Sequence, residues 1–270
     1  MLYIHESNID TKINNNYKGL ATPITIFKNE YYLPFRKEME SFDFSTIDQQ
    51  GFKKVAKVIN DYANNLSQFV KENKITSQSK FESTLLEEIS VYLFKDIKEI
   101  KNKQLDVYNK GIYAGLKINP DLSLDIVKKD VDFCIGKKIN IKIENQNEVN
   151  IIIPLISVEV KTYLDATMFG EVKSSSKTLK SATPNSKAYV LMGYKCLADE
   201  HVLAARQDSV LDEMFVLKKN EKSLIDYHAL YLYWKEITES IHGITSHDKL
   251  VVPGRLFYND VVNVLNEYEK

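Results

Sequence analysis

A largely apolar segment, Ile151–Lys161, constrains the fold of this chain more than any other part of the sequence. Its Ile, Leu and Val content is typical of a β-strand. Because side chains alternate between the two faces of a strand, Glu159 and Lys161 project together, while Val158 and Val160 project into the core. Burying two opposite charges at a strand end costs free energy unless they bind something. The strand end is therefore predicted to be a functional site.

The Glu-x-Lys triplet carries little information by itself, because it occurs four times in this lysine-rich chain. Three copies, which begin at Glu72, Glu99 and Glu171, have polar surroundings typical of helices or loops. An acid and a lysine in such surroundings are ordinary solvated surface. Only the copy at Glu159 ends a strand of Ile, Leu and Val, and this context distinguishes it from the others.

A second acid, Asp132, lies upstream at the start of a short apolar segment that ends at Gly136. We interpret Gly136–Lys138 as a turn and Ile139–Ile143 as the returning strand, so that this hairpin neighbours the Glu159 strand. Asp130 lies on the same face as Asp132 and is the rival acid. An acid at the start of one strand and Glu-x-Lys at the end of the next is the arrangement of PD-(D/E)xK nucleases.

The chemistry of these residue types suits phosphodiester hydrolysis. The carboxylates of Asp132 and Glu159 could hold Mg²⁺, which keeps several waters and bridges to a substrate phosphate. Lys161 could orient or deprotonate the attacking water, or offset the charge that develops on the phosphorus centre. The alternative is a buried ion pair with a structural role only.

The bulk composition is that of an ordinary globular protein. The chain has 270 residues and 31.2 kDa, with 44% hydrophobic and 27% charged residues. These values fit one large domain. No apolar segment approaches the roughly 20 residues that cross a bilayer, and the first residues do not resemble a signal peptide. Cys134 and Cys196 lack metal-ligand spacing and are predicted to be reduced and buried. These features predict a cytoplasmic protein without a membrane partner.

A formal net charge of −1 argues against a surface that is basic throughout, but it allows a basic cleft. Lysines exceed acids after the Glu159 strand, and the candidate DNA-binding residues there are Lys173, Lys177 and Lys180. Solvated lysines on a helix face are the alternative interpretation for each of them.

Two helices are predicted in the N-terminal half, after a first 45 residues that we interpret as irregular, with at most one short strand. The first helix covers about 48–73, where apolar residues recur at spacings of three and four. The second begins with a capping box at Ser79–Glu82 and carries apolar residues inward as far as Ile97. Glu87 and Glu88 fall in its middle, where solvent exposure is usual. One of them could instead add a third carboxylate to the metal site.

The remaining elements alternate between strands and helices. Asp165 is predicted to cap a helix over 166–180 that leads to a buried strand at 187–193, and a crossover of this length favours parallel pairing. Met168, Val172, Ser175 and Leu179 form the inward face of that helix. Further elements are predicted as a strand at 112–118, a strand at 210–217, a helix at 223–241 and a last helix at about 259–267.

Several segments together resemble the type II restriction endonuclease family of BbvCI and DdeI. They are Asp130–Gly136 (Asp-Val-Asp-Phe-Cys-Ile-Gly), Ile153–Leu164 (with Pro-x-x-x-x-Glu-x-Lys-x-Tyr-Leu) and Leu179–Pro184 (ending in Ala-Thr-Pro). Two flanking pieces are also similar, one around Leu86–Phe94 and one at Gly254–Phe257. The similarity is good over roughly 83–205 and weak elsewhere.

The resemblance implies an α/β fold with a central mixed β-sheet flanked by helices, as one domain over 1–270. Its catalytic core would cover about 79–217, between an irregular and helical region at 1–78 and a helical region at 218–270. It implies Mg²⁺-dependent, sequence-specific cleavage of double-stranded DNA by a homodimer or by a heterodimer with a related subunit. By position, Asp132 and Glu159 would bind metal, Lys161 would serve the water, and Glu87 or Glu88 would assist.

Two alternative functions stay open at this point. A DNA repair or junction nuclease with the same core would cut according to DNA structure rather than sequence. A DNA-binding subunit would recognise duplex DNA and need a partner chain to cleave it.

Overall fold

A seven-stranded mixed sheet forms the centre of the computed structural model, which describes residues 2–142, 148–208 and 210–245. The chain divides into two compact units, Met1–Trp234 and Lys235–Lys270, and the sheet belongs to the first. The strands are β1 (Asp106–Tyr108), β2 (Ile112–Ile118), β3 (Leu124–Lys129), β4 (Phe133–Ile141), β5 (Val149–Leu164), β6 (Lys187–Lys195) and β7 (Glu213–Val216).

The long strand β5 is the central member of this sheet. One edge pairs antiparallel with β4, which in turn pairs with β1. Its other edge pairs in parallel with β2 near its start and with β6 over its second half. The outer strands β3 and β7 pair with β2 and β6 respectively.

Helices flank both faces of the sheet. The α-helices of the described residues are α1 (Ile4–Asn14), α2 (Ala21–Phe27), α3 (Leu33–Ser41), α4 (Gly51–Glu72), α5 (Ser83–Phe94), α6 (Lys98–Lys101), α7 (Ala166–Ala182), α8 (Asp199–Asp208) and α9 (Tyr227–Thr245). Phe94 of α5 contacts Phe133 of β4, on the face of β5 that carries Val158. On the opposite face, α7 lies against β2, β5 and β6. The α/β architecture with a mixed sheet between helices is confirmed.

The elements around the Glu159 strand agree with the sequence pattern. Helix α7 begins where predicted, and Asp165 caps it by accepting a hydrogen bond from the Met168 backbone N–H at 2.8 Å. Strand β6 pairs in parallel with β5, with Glu159 opposite Val190. Helix α4 and strand β2 are also confirmed at nearly the predicted bounds.

The predicted turn at Gly136–Lys138 is wrong, because β4 runs through it without interruption. The glycine serves another purpose: a β-bulge separates Ile135 from Gly136, and a Cβ atom at Gly136 would lie 2.4 Å from the Ile153 carbonyl oxygen. Glycine is therefore required by a close approach between strands rather than by a turn. Strand β4 ends at Ile141, and Ile143, the predicted end of the returning strand, lies outside the described residues.

The prediction of irregular structure over the first 45 residues is also wrong, since α1, α2 and α3 occupy most of this segment. The apolar residues of α1 show no helical period, and its position depends on distant polar partners. His5 is fully buried, with Thr84 Oγ1 2.9 Å from its Nδ1 and the Tyr62 hydroxyl 2.7 Å from its Nε2. Burial lowers the pKa of His5 to about 3, so its ring is neutral.

Smaller differences concern element ends and burial. Helix α5 starts at Ser83 without a side-chain cap, so the predicted capping box is wrong. Strand β7 is shorter than predicted, and β1, β3, α6 and α8 were not anticipated. Cys134 is buried as predicted, but Cys196 is exposed. The helix predicted at about 259–267 and the piece Gly254–Phe257 lie outside the described residues. Within the described ranges, no helix is long and apolar enough to cross a membrane.

Candidate active site

Asp132 and the end of β5 come together because β4 and β5 are antiparallel neighbours. Phe133 pairs with Val158, so Asp132, one residue before β4, lies beside the next residues of β5. Asp132 Oδ2 accepts a hydrogen bond from the Val160 backbone N–H at 2.8 Å. The carboxylate is thereby fixed next to the two charged side chains of the strand end.

Lys161 lies between the two acids. Its Nζ is 3.2 Å from Asp132 Oδ2 and 3.4 Å from Glu159 Oε2. The three side chains are partly buried, with Glu159 the most enclosed at 15% exposure. Burial by itself would lower the pKa of Lys161, but the neighbouring carboxylates outweigh it and raise that pKa above its ordinary value. The lysine is therefore a cation held at a fixed place.

Ser175 of α7 completes the contacts of Glu159. Its hydroxyl donates a hydrogen bond to Glu159 Oε1 at 2.8 Å, so each carboxylate oxygen of Glu159 has a partner. We assigned Ser175 to the apolar inward face of the helix. A hydroxyl among inward-facing residues, on the helix that follows Glu-x-Lys, was the sequence feature that could have identified it.

Glu87 approaches the same acids from α5. It lines an open cleft of about 640 Å³ together with Asp132. Burial, and then the negative charges of Asp132 and Glu159, raise the pKa of Glu87 to about 7. Burial is the main reason why the charged form of Glu87 is disfavoured, and the two nearby carboxylates add to it.

Glu88 points away from the cleft and into the N-terminal helices. Its carboxylate is fully buried and accepts four hydrogen bonds. The donors are the hydroxyls of Tyr32 (2.8 Å) and Tyr92 (3.0 Å) and the backbone N–H groups of His5 (2.8 Å) and Glu6 (3.1 Å). Of the two candidate glutamates, Glu87 lies near Asp132, whereas Glu88 stabilises the packing of the N-terminal helices.

Asp130, the rival acid, also lines the cleft but has a different partner. Its Oδ1 accepts a hydrogen bond from the Gly111 backbone N–H at 2.9 Å, in the turn between β1 and β2. No contact between Asp130 and Lys161 is present among the described residues, whereas Asp132 contacts both Lys161 and Val160.

The three candidate DNA-binding lysines lie on α7 in different surroundings. Lys180 forms an ion pair with Asp212 at 2.7 Å. Lys173 lies over the ring of Phe169, and Lys177 is exposed. The three ammonium groups therefore have different surroundings, and their part in DNA binding stays a prediction.

The residues at the strand end fit a magnesium ion by the chemistry of their donors. Asp132 and Glu159 offer carboxylate oxygens that converge on one point, which Lys161 Nζ contacts, and Glu87 adds charge nearby. Across the described ranges, no three Asp, Glu, His or Cys side chains stand close enough to form a complete protein cage. Mg²⁺ does not need one, since it is usually held by one or two carboxylates with waters and substrate phosphates.

Glu87 should cost the metal-free fold stability at alkaline pH. Its folded-state pKa of about 7 exceeds the ordinary value of 4.5, so the folded protein retains a proton that the unfolded chain releases. Stability is therefore lost as pH rises through this window and stays low above it. Glu87→Gln, which is neutral throughout, should unfold with a free energy higher by on the order of 2 kcal/mol above pH 7.

Urea unfolding in EDTA at about pH 5 and about pH 8 measures this difference. The stabilisation should be large at the higher pH and small at the lower one. Glu87→Gln that is no more stable than the native chain at the higher pH would show that the carboxylate is not strained by its acidic neighbours.

Comparison with known proteins identifies the family of this chain. The sequence profile described as Bpu10I restriction endonuclease matches residues 78–236, which is more than half of the chain. No curated protein matches the chain at the level of sequence. Among solved structures, a chain of the native BbvCI A2B2 tetramer, determined at low resolution, aligns with a TM-score of 0.75 and 14% identity. The alignment covers 92% of this chain and 99% of the other, and it shows a shared fold. The chain belongs to the Bpu10I restriction endonuclease family, and its enzyme class is that of the site-specific deoxyribonucleases.

Proposed function

We propose that this chain hydrolyses phosphodiester bonds of double-stranded DNA at a specific short sequence and requires Mg²⁺ to do so. The observation that carries the proposal is the contact of Lys161 Nζ with Asp132 and Glu159. Three charged groups from two adjacent strand ends meet beside an open cleft, and Asp132 lines that cleft. A purely structural ion pair needs neither the third carboxylate of Glu87 nor access from solvent.

In this proposal, Asp132 and Glu159 hold the metal, and Glu87 contributes charge or a water-mediated contact. When bound, Mg²⁺ supplies a more acidic water and offsets negative charge on the phosphate. Lys161 orients the attacking water and stabilises the charge that develops on the phosphate oxygens. The Val160 backbone N–H and the Ser175 hydroxyl keep the two carboxylates in place while the substrate enters.

The proposed partners are duplex DNA and a second subunit. A chain with one such site cuts one strand at a time, so a double-strand break needs two sites. The BbvCI relative is described as an A2B2 tetramer. We propose that this chain likewise assembles either with a second copy of itself or with a related subunit.

A digest of a fully sequenced bacteriophage genome with the purified chain alone tests the function. With Mg²⁺ we expect discrete fragments whose ends share one short sequence, and with EDTA no cleavage. End sequencing gives the target and the cut position.

The other outcomes of the digest have distinct meanings. Cleavage that follows branched or damaged DNA, with plain duplex intact, would support the repair or junction nuclease instead. Nicks at a specific sequence would indicate that a related subunit cuts the second strand. A chain that cuts neither strand under any divalent cation, yet binds a specific duplex, would replace the proposal with that of a binding subunit.

A further inference from the structure

The cleft beside Asp132 is lined partly by residues that have no role in the proposed mechanism. One side consists of Asp132, Asp130 and Glu87, which are all acidic. The rest of the lining is mixed: it includes apolar side chains, polar side chains of α1, Asn109 of the β1–β2 turn, and two lysines. The polar side chains of α1 are Ser7, Asn8 and Thr11. The two lysines, Lys80 and Lys110, are the only cationic residues that line this cleft among the described residues.

Lys80 is held in place by its backbone. It has a left-handed conformation, with φ of 57°, and lies three residues before the start of α5 at Ser83. Its carbonyl oxygen accepts hydrogen bonds from the Thr84 hydroxyl at 2.9 Å and from the Thr84 backbone N–H at 3.3 Å. This backbone angle is unfavourable for a non-glycine residue, so the contacts around Lys80 must hold its backbone there. The ammonium group is carried on the same helix start that leads to Glu87.

Lys110 is held by the segment that carries Asp132. The next residue, Gly111, donates its backbone N–H to Asp130 Oδ1 at 2.9 Å, and Val131 donates its backbone N–H to the Asn109 carbonyl oxygen at 3.2 Å. Two hydrogen bonds thus connect the turn of Lys110 to the two residues before Asp132. Asp130 therefore positions the turn that carries Lys110.

The negative charges of the cleft require nearby cationic groups if a DNA strand is to bind there. Three carboxylates line it, and a DNA strand that approached them would meet electrostatic repulsion. Among the described residues, neither Lys80 nor Lys110 has a carboxylate within ion-pair distance, whereas Lys180 on α7 is paired with Asp212. Both lysines are exposed and can receive a ligand without losing an ion pair.

We propose that Lys80 and Lys110 bind backbone phosphates of the DNA strand that is cut, on the two sides of the scissile bond. The strand then runs through the cleft between α1 and the Asp132 segment. This inference rests on the proposed function, which supplies the polyanionic substrate. It adds two phosphate contacts, outside α7, to those predicted for the lysines of that helix.

The test measures phosphate binding separately from cleavage. Fluorescence anisotropy with a short fluorescein-labelled duplex of mixed sequence, in EDTA, gives the association constant at several NaCl concentrations. Each phosphate contact contributes a slope of about −0.9 to the plot of log K against log salt concentration. Lys80→Gln and Lys110→Gln should each reduce the slope by about 0.9 per chain and weaken binding about fivefold at physiological salt.

Two variants serve as matched controls. Lys74 and Lys103 are also exposed lysines with left-handed backbones, with φ of 50° and 56°, and neither lines the cleft. Lys74→Gln and Lys103→Gln should leave the salt slope unchanged. Thermal melts monitored by circular dichroism show that all four variants are folded.

The outcomes separate this inference from the proposed function. An unchanged slope in both cleft variants overturns it, even if the native chain cuts DNA normally. A native chain that binds no duplex at all overturns it as well. Reduced slopes in the cleft variants alone support it, including in a chain that binds DNA but does not cut it, where the proposed function would fail by itself.

Discussion

Replacing Lys161 with alanine is expected to lower the rate of DNA cleavage by roughly 10³-fold while the chain still binds duplex DNA. The reason is the position of its ammonium group, 3.2 Å from Asp132 Oδ2 and 3.4 Å from Glu159 Oε2. In the proposed mechanism this cation orients the attacking water and offsets the charge that develops on the phosphate. Cleavage under single-turnover conditions, with enzyme in excess over a duplex that carries the mapped target, measures the rate of the chemical step.

Lys74→Ala is the matched control, because Lys74 ends another Glu-x-Lys triplet of this chain but lies on the exposed surface after α4. It should cleave at the native rate. Lys161→Ala leaves Asp132 and Glu159 without their counter-charge, so its thermal melting must be compared with that of the native chain, with and without Mg²⁺. Native activity in a folded Lys161→Ala variant would eliminate the assigned site.

Replacing Glu88 with alanine should have the largest effect on stability, a loss of about 3–5 kcal/mol in the free energy of unfolding. Four donors converge on this buried carboxylate, two tyrosine hydroxyls and two backbone N–H groups. Its removal deprives all four donors of this acceptor, and it also empties the volume of the side chain. Urea unfolding followed by circular dichroism measures the loss.

Glu87, the neighbouring residue, provides a control for which the expected change in stability has the opposite sign. Glu87→Gln should stabilise the metal-free protein above pH 7, whereas Glu88→Ala should destabilise it at every pH. Glu88→Gln, which keeps an oxygen acceptor but adds two donors, should fall between them. A loss below about 1 kcal/mol for Glu88→Ala would mean that water replaces the carboxylate and that the N-terminal helices do not depend on it.

The sequence predicted the segment from β5 to β6 well because the determinants of its structure are local. An apolar strand, an Asp cap with a helical period behind it, and a second apolar strand at crossover distance give β5, α7 and β6 in parallel order. The pairing of Asp132 with the end of β5 followed from the same strand arrangement, although the turn was misplaced. In that case the glycine at Gly136 was taken for a turn residue, while its reason is a carbonyl oxygen of the neighbouring strand.

The N-terminal helices could not be predicted because their determinants are distant in sequence. The buried polar partners of His5 are Tyr62 and Thr84, and those of Tyr32 include Glu88. Such contacts produce no periodic pattern of apolar residues in the local sequence. A segment rich in Asn and Tyr was therefore interpreted as irregular. For the same reason the sequence left Glu87 and Glu88 equivalent. Only the packing of α5 shows that they face different partners.

The capping of α1 by Glu88 also bears on the order in which the chain can fold during synthesis. The N-terminal amides of a helix lack intrahelical partners, and an isolated helix of this length is marginal in water. For α1, the acceptor of two such amides is a side chain 83 residues downstream of His5. During synthesis, α1 therefore acquires this cap only after α5 has emerged from the ribosome, and until then its first amides depend on water.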